Sequence, residues 1–483
     1  MDIVALVSDL VSGFIQADED FYTNPDHFAE IEKDVVGLCI RTAAGFLSMM
    51  LSQMDQHICD NSERRKYYTK FRTDTRTLIT TAGDVVFKHT LFTDKRDGSR
   101  RYLLDDLIKL PDRERFSEDA EEMVLRKAAA TSYQQAADAL QIGGQKISKT
   151  AVMKKVHGIL KDLPEESISG EKKKVCEHLY IEADEDHISS QKDQKAKEGY
   201  LGKLIYLFEG KEDVCKGKRR LMSPHYSGGL YRGSHANGEL WDGIQRYLEK
   251  HYDTESLKRV YICSDGGGWI KAGLERIAKS VPVTDKFHLA EYLKRAANCT
   301  LDERELTEGR LYEAIWEDDL PAARQELERI MEHCDGSDKA VTDCLSFLEN
   351  NWEGIQRAYH DPNALGGSAE GHVSHLYSAR MSSRPMGWSE TGADRMCMLR
   401  CYIKNNGEEK VLDLVRYRRQ KALQEQGKAA GAELDEIIEK VRDKAPHGKI
   451  YMETAKYFNT MQTSIMGNTA KKTMAIREHL RGI

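Results

Sequence analysis

The chain has 483 residues, with 79 acidic against 72 basic side chains and a net charge of −7. That length exceeds one ordinary domain, so several units are expected, each able to bury a core. Its ten cysteines form no C-x-x-C pair, which argues against a zinc ribbon or thioredoxin-like site and suits reduced thiols. The apolar runs read as short and interrupted, and "MDIVALVSDLVSGF" carries acids where a secretory signal carries bases, so a cytoplasmic protein with no membrane partner is expected.

Residues 1–63 hold 12 Asp and Glu against 2 Lys and Arg, leaving the remainder mildly basic; charge therefore permits DNA as a partner without requiring it. Apolar positions at helical spacing in "FAEIEKDVVGLCIRTAAGFLSMMLSQM" predict an acidic helical region over 1–63, either a partner-binding, dimerising element or an ordinary helical subdomain. Residues 64–115 alternate β-branched and polar residues around the turns "AGD" and "KRDGS", which predicts a small antiparallel β unit. Over 116–161 three short helical patterns follow, with Thr131 and Gln134 as a capping box, Ser148 opening the last and "IGGQK" as the turn between. That is the form of a helix-turn-helix, and Lys149, Thr150, Lys154 and Lys155 would then meet DNA phosphates or base edges. A plain helical linker with a solvated lysine face fits the same residues. "KDLPEESISGEKKKVCEH" reads as a polar linker.

From residue 175 strands take over. "VCEHLYIEADEDHI", "GKLIYLFEG" and "KRRLMSPHYSG" are followed by the amphipathic helix "ANGELWDGIQRYLEKHY" and a fourth strand, "KRVYICSDG". Three strands, a helix and another strand is the order of a ribonuclease H-like α/β sheet, here over 175–400 with a helical insertion at about 290–360 and a helical region at 401–483. In that topology the first and fourth strands are neighbours, and Asp184 and Asp265 at their ends would meet. Two such carboxylates repel unless a cation sits between them. A pair of Mg²⁺ ions about 3.5–4 Å apart, with Mn²⁺ as substitute, would use them as ligands to activate a water or a 3′-hydroxyl. Glycines 266–268 suit close approach of a nucleic-acid backbone; a plain tight turn, or a phosphate cradle without the G-x-G-x-x-G spacing, are the other readings. Strand alternation puts Glu182, Asp184 and Asp186 on one face, so Asp186 is the alternative to Asp184. A third acid should follow on a helix: Glu370 opens a helical pattern in which Ser374, Tyr377 and Met381 share its face, and Glu390 in "GWSETGADRM" is its rival, more like a helix-start residue.

"IEADEDHI", "YICSDGGGWIK", "TDKFHLAEYLK" and "EGHVSHLYSARMSSRPMGWS", in that order, resemble the ISLre-two family of bacterial insertion-sequence transposases, of the DDE class. The resemblance covers nearly the whole chain. It implies Asp184, Asp265 and Glu370 as catalytic metal ligands, with Asp285 and His288 of "DKFH" supporting them. Lys271, Arg380 and Arg384 become candidates for backbone phosphates, against ordinary surface charge. The implied protein is a DNA transposase that hydrolyses and rejoins phosphodiester bonds at terminal inverted repeats and target DNA, as a homo-oligomer. A structure-specific nuclease on the same sheet, or a non-catalytic DNA-binding descendant, are the alternatives.

Overall fold

The computed structural model describes residues 3–141, 146–164, 173–191, 199–215, 218–300, 303–333 and 338–426. They fall into two compact units, one drawn from residues 3–128, 132–155 and 412–426, the other from 129–131 and 156–411.

The first unit opens with α1 (Ile3–Thr23), α2 (Phe28–Asp60) and the single turn α3 (Arg64–Tyr67). Between Asp34 and Asp55 the only charged residue is Arg41, and Pro25–Asp60 is long and apolar enough to cross a membrane by length and composition. The expectation of short, interrupted apolar runs fails here. Only part of the stripe is covered in this fold: Ile58 and the half-buried Ala44, Leu47, Leu51 and Met54 pack on Leu78, Val85, Phe87 and Phe92, whereas Phe28, Val36, Phe46 and Met50 stay exposed. Those residues belong to the three-stranded antiparallel sheet of β1 (Tyr68–Thr80), β2 (Gly83–Asp94) and β3 (Arg100–Tyr102), closed by α4 (Leu103–Leu107).

Three helices follow, α5 (Glu118–Ala130), α6 (Tyr133–Ala139) and α7 (Lys149–His157). The capping box of α6 sits one residue later than expected. Ser132, not Thr131, takes the extended cap backbone, and its Oγ accepts from Gln135 N at 3.2 Å while Ser132 N donates to Gln135 Oε1 at 3.2 Å. Both registers satisfy the same four-residue pattern, and the backbone chose between them. Ser148 caps α7 as expected, its Oγ accepting from Ala151 N at 3.2 Å. Residues 142–145 of the expected turn, the middle of the expected linker (165–172) and residues 427–483 of the expected carboxy-terminal region lie outside the described residues.

Lys149, Thr150 and Lys154 are exposed on α7, but Lys155 is buried. Its ammonium pairs with Glu114 and lies 3.5 Å from Glu121, and the helix Val411–Glu425 brings Arg418 to Glu114 at 3.1 Å and Arg419 to Glu121 at 3.0 Å. Burial alone would raise the Glu114 carboxyl; Lys155, Phe116 N and Arg418 outweigh it and hold it down at about 2. A lysine so committed is not free to meet a phosphate, because withdrawing it would take from Glu114 and Glu121 a cation that they share inside the protein. The expectation that Lys155 contacts DNA is therefore corrected.

The second unit is built on a five-stranded mixed sheet of order β10-β9-β4-β5-β8. Its strands are β4 (His178–Ile188), β5 (Tyr200–Phe208), β8 (His225–Gly229), β9 (Arg259–Ser264) and β10 (Ser280–Thr284), with β6 (Gly210–Cys215) and β7 (Lys218–Met222) forming a separate hairpin. Strands β4, β9 and β10 run parallel, whereas β5 and β8 pair antiparallel. The third expected strand is thus two: Ser223, at φ 46°, and Pro224 break "KRRLMSPHYSG", and only its second half joins the main sheet.

Alternation along β4 sorts the two faces. Leu179, Ile181 and Ala183 pack with Trp241 and Ile244 of α8 (Gly233–His251) and with Ile270 of α9 (Gly268–Arg276). On the other face Tyr180, Tyr261, Cys263 and Val283 meet Ala358 of α13 (Asp338–His360). That helix closes a bundle with α10 (Lys286–Ala297), α11 (Arg304–Trp316) and α12 (Leu320–His333), which has its own core around Leu289, Leu311, Leu327 and Leu348. The chain then returns through α14 (Ala369–Val373), a π-helical turn (Ser374–Ser378), α15 (Ala379–Met381) and α16 (Glu390–Asn406).

Candidate active site

The parallel register of β4 and β9 runs to Glu182 opposite Cys263. Two residues further along stand Asp184, still inside β4, and Asp265, the first residue past the end of β9, so both lie just beyond the parallel pairing of the two strands. Asp184 responds to the charge of Asp265. Asp184 is pushed up to about 6, first by burial and then by the charge of Asp265, against the opposing pull of the Glu185 N–H and of His288. Glu185 N donates to Asp184 Oδ1 at 2.7 Å, and among the described residues no Lys or Arg pairs with Asp184. Asp186, the alternative first acid, is occupied otherwise: it accepts from Ser382 Oγ at 2.9 Å.

The glycines after Asp265 shape the turn that presents it. Gly266 has φ 94°, where a Cβ would lie 3.0 Å from Asn351 Nδ2, so the position demands glycine. Gly267 N donates to Asp265 Oδ1 at 2.8 Å, fixing the carboxylate before α9 begins. "DKFH" is a helix start: Asp285 caps α10 by accepting from Phe287 N at 3.1 Å, and His288 Nε2 lies 4.0 Å from Asp285 Oδ2. The charges of Asp265 and His288 both reach Asp184, and Asp285 is tied to β9 through its N–H to Ser264 O at 3.0 Å.

Glu370 sits in the first turn of α14 and is exposed. The face expected to carry it is altered. Ser374 is exposed with it, but Tyr377 and Met381 are buried, because the π turn inserts a residue and shifts the helical phase. Glu390 is the first residue of α16, exposed, and Ser389 Oγ caps that helix by accepting from Gly392 N at 3.1 Å. Arg384 is exposed, and Lys271 is half-buried with its ammonium donating to Asn350 O at 3.1 Å. Arg380 is buried and stacks on Trp388, 4.9 Å from the ring centre, so the expected role at a DNA backbone is corrected to packing against that ring.

Sequence reasoning placed Glu182 on the right face and gave it no role. It is 2% exposed and accepts from Ser368 N at 2.6 Å, from Ser368 Oγ at 3.1 Å, from Lys211 Nζ at 3.1 Å and from the Tyr206 hydroxyl. The usable signal was a Glu inside an otherwise apolar strand segment, where a charge is stable only with partners.

All the acids here are oxygen donors, the set that suits a hard divalent cation. A like-charged pair in which one member's proton affinity is raised is what such an ion would relieve. Asp184 and Asp265 fit that test. Among the described residues, however, no group of three or more His, Cys, Asp and Glu is gathered to hold a metal, so Glu370 is not drawn in as a third ligand.

The raised Asp184 has a stability consequence. Its folded value of about 6 exceeds the ordinary 3.8, so its contribution is complete below pH 3.8 and is lost as pH rises through 6. By linkage the ionised group costs at most about 3 kcal/mol at pH 8, less after solvent screening. Asp184→Asn is expected to raise the thermal midpoint at pH 8 and leave it nearly unchanged at pH 4. Equal shifts at both pH values would show that the carboxylate is not strained.

A UPF0236 protein of Caldanaerobacter subterraneus subsp. tengcongensis is 30% identical over 395 residues, 81% of this chain and 80% of that one. A second from the same organism, UPF0236 protein TTE2489, is 29% identical over 366 residues, 75% of each chain. Among solved structures, the Drosophila P element transposase strand transfer complex covers 75% of this chain and 94% of its own at 10% identity and a TM-score of 0.23, a likeness too slight to carry an argument. The family model described as "Uncharacterised protein family (UPF0236)" matches residues 22–421, and the chain belongs to that family.

Proposed function

We propose that the protein is a DNA transposase of the ISLre-two type, cutting phosphodiester bonds at the ends of an insertion sequence and joining the freed 3′ ends to target DNA. The observation that carries the reading is that Asp184 and Asp265 stand just beyond the parallel pairing of the adjacent strands β4 and β9, with the charge of Asp265 reaching Asp184. Its frame is a sheet whose first three strands are antiparallel and whose next two are parallel, with the first and fourth side by side; this is the arrangement expected of a ribonuclease H-like catalytic domain. The relatives' names add support, since one joins eleven numbered designations of a single organism and another joins four. A gene that copies itself through a genome would leave that pattern.

Asp184 and Asp265 are the residues that would hold divalent cations, Mg²⁺ or in its place Mn²⁺, and Glu370, not gathered with them in this structure, is the third acid that the resemblance to the transposases supplies; the chemistry of such ions when bound is to acidify a water or 3′-hydroxyl and to offset charge on the phosphate. The protein's own contribution is placement. Gly267 N orients the Asp265 carboxylate. His288 offsets charge on Asp184 and is itself steered by Asp285. Exposed Lys149, Thr150 and Lys154 on α7 offer phosphate or base contacts to the terminal repeats, and Lys271 and Arg384, in the unit that carries the acids, offer backbone contacts. The acidic amino-terminal helices would serve assembly of a homo-oligomer in the cytoplasm.

The test is a joining assay. Purified protein, duplex DNA carrying the ends that flank its gene, and Mg²⁺ should yield nicked ends and then products in which a 3′ end is covalently joined to target DNA. Cleavage without joining would make it a nuclease, and binding without either a non-catalytic descendant.

A further inference from the structure

We infer that the buried Glu182 is a positioning residue, which holds the segment Gly366–Ser368 against β4 and so sets where Glu370 stands relative to Asp184 and Asp265. The inference rests on the transposase reading and adds a residue to it.

A carboxylate in an apolar strand is costly to bury, and a hydrophobic side chain would pack the same place at less cost. Glu182 is retained with every surrounding donor aimed at the loop before α14. Ser368 N and Oγ both reach it, and the Tyr206 hydroxyl approaches from the directly paired residue of β5. Lys211, on the separate β6–β7 hairpin, bonds Glu182 at 3.1 Å, Ser368 Oγ at 3.2 Å and Gly366 O. Ser368 occupies the N-cap position of α14 and yet makes no side-chain cap bond to its own helix. Its hydroxyl is spent on the strand.

The neighbouring glycine is fitted to the other strand end. A Cβ on Gly367 would stand 2.9 Å from the Asp285 carboxyl carbon, so the loop is pressed between β4 and the start of α10. At its far end the same segment is fastened again, where Ser382 Oγ donates to Asp186 at 2.9 Å. Glu182, Asp184 and Asp186 share one face of β4. The stretch from Ser368 to Ser382 is therefore pinned on either side of Asp184, and Glu370 lies two residues from the first pin. A fully satisfied buried network of this kind removes the freedom that would let an exposed helix start wander.

The test is a double-mutant cycle read by Mn²⁺ affinity, from the ion-induced rise in thermal midpoint, alongside strand cleavage. Ser368→Ala removes one hydroxyl only, and Glu182→Gln keeps an oxygen for Ser368 N while losing the charge that holds Lys211; both should fold. Each is expected to weaken Mn²⁺ by about tenfold, as supporting residues around metal ligands do. Glu370→Gln should do the same, and the Glu182→Gln/Glu370→Gln pair should be no weaker than Glu370→Gln alone. Losses that multiply in the double variant, or full affinity in Glu182→Gln, would overturn the inference while leaving the proposed reaction standing. A wild-type protein with no Mn²⁺ response would overturn the reaction itself, and the inference with it.

Discussion

Asp265→Asn is expected to lower Mg²⁺-dependent cleavage of the element's ends by about 10³-fold or more, the loss that goes with several kcal/mol of charge stabilisation at the reacting phosphate. Binding of the same ends should be almost unchanged. Asn keeps the oxygen that accepts from Gly267 N, so the Gly266 turn and the start of α9 stay in place. What goes is one negative charge near Asp184, so that burial still raises Asp184 but the smaller contribution from repulsion is lost. The variant should accordingly fold at least as stably as the parent at pH 8. Cleavage assays and binding titrations on one preparation decide the matter. Near-normal cleavage by the variant would remove Asp265 from the chemistry, and lost binding would place it among the DNA contacts.

Alanine at Glu370 is expected to abolish strand transfer with Mg²⁺, whereas alanine at Glu390 should leave the rate within a few-fold. Glu370 starts a helix whose preceding residues are bonded to β4 beside Asp184. Glu390 starts a helix that Ser389 already caps, and its nearest cation is Arg232 at 4.0 Å, with both side chains well exposed. An exposed pair of that kind contributes about 0–1 kcal/mol. Assaying both variants with Mg²⁺ and again with Mn²⁺ tests the choice. An inactive Glu390→Ala beside a fully active Glu370→Ala would reverse it.

Much of the frame was legible in the residues alone. Alternation marked β4, β5 and β9, the apolar run into "SDGGGW" marked a strand end with a carboxylate on it, and the order of strands and helix made β4 and β9 neighbours. These are local signals, since side-chain period and chain connectivity are written along the sequence. The capping of α7 by Ser148 and of α10 by Asp285 is local in the same sense. Where two local readings were equally good, as between Thr131 and Ser132, only the folded backbone separated them.

Tertiary structure decided which charges are free and which are spent. Lys155 and Lys154 are adjacent and chemically alike, yet one turns inward to Glu114 and Glu121 and the other faces solvent. Arg380 and Arg384 divide in the same way, one stacked on Trp388 and one exposed. Asp184 and Asp186 are equivalent by alternation, and were separated by partners far along the chain, Asp265 for one and Ser382 for the other. The π turn that moves Tyr377 and Met381 off the face of Glu370 has no mark in the helical period. The reason is common to all four. Residue type and spacing determine which face a side chain takes, but a charge's partner is set by what is brought opposite that face, and here the opposing residues come from elements as far as 196 positions away.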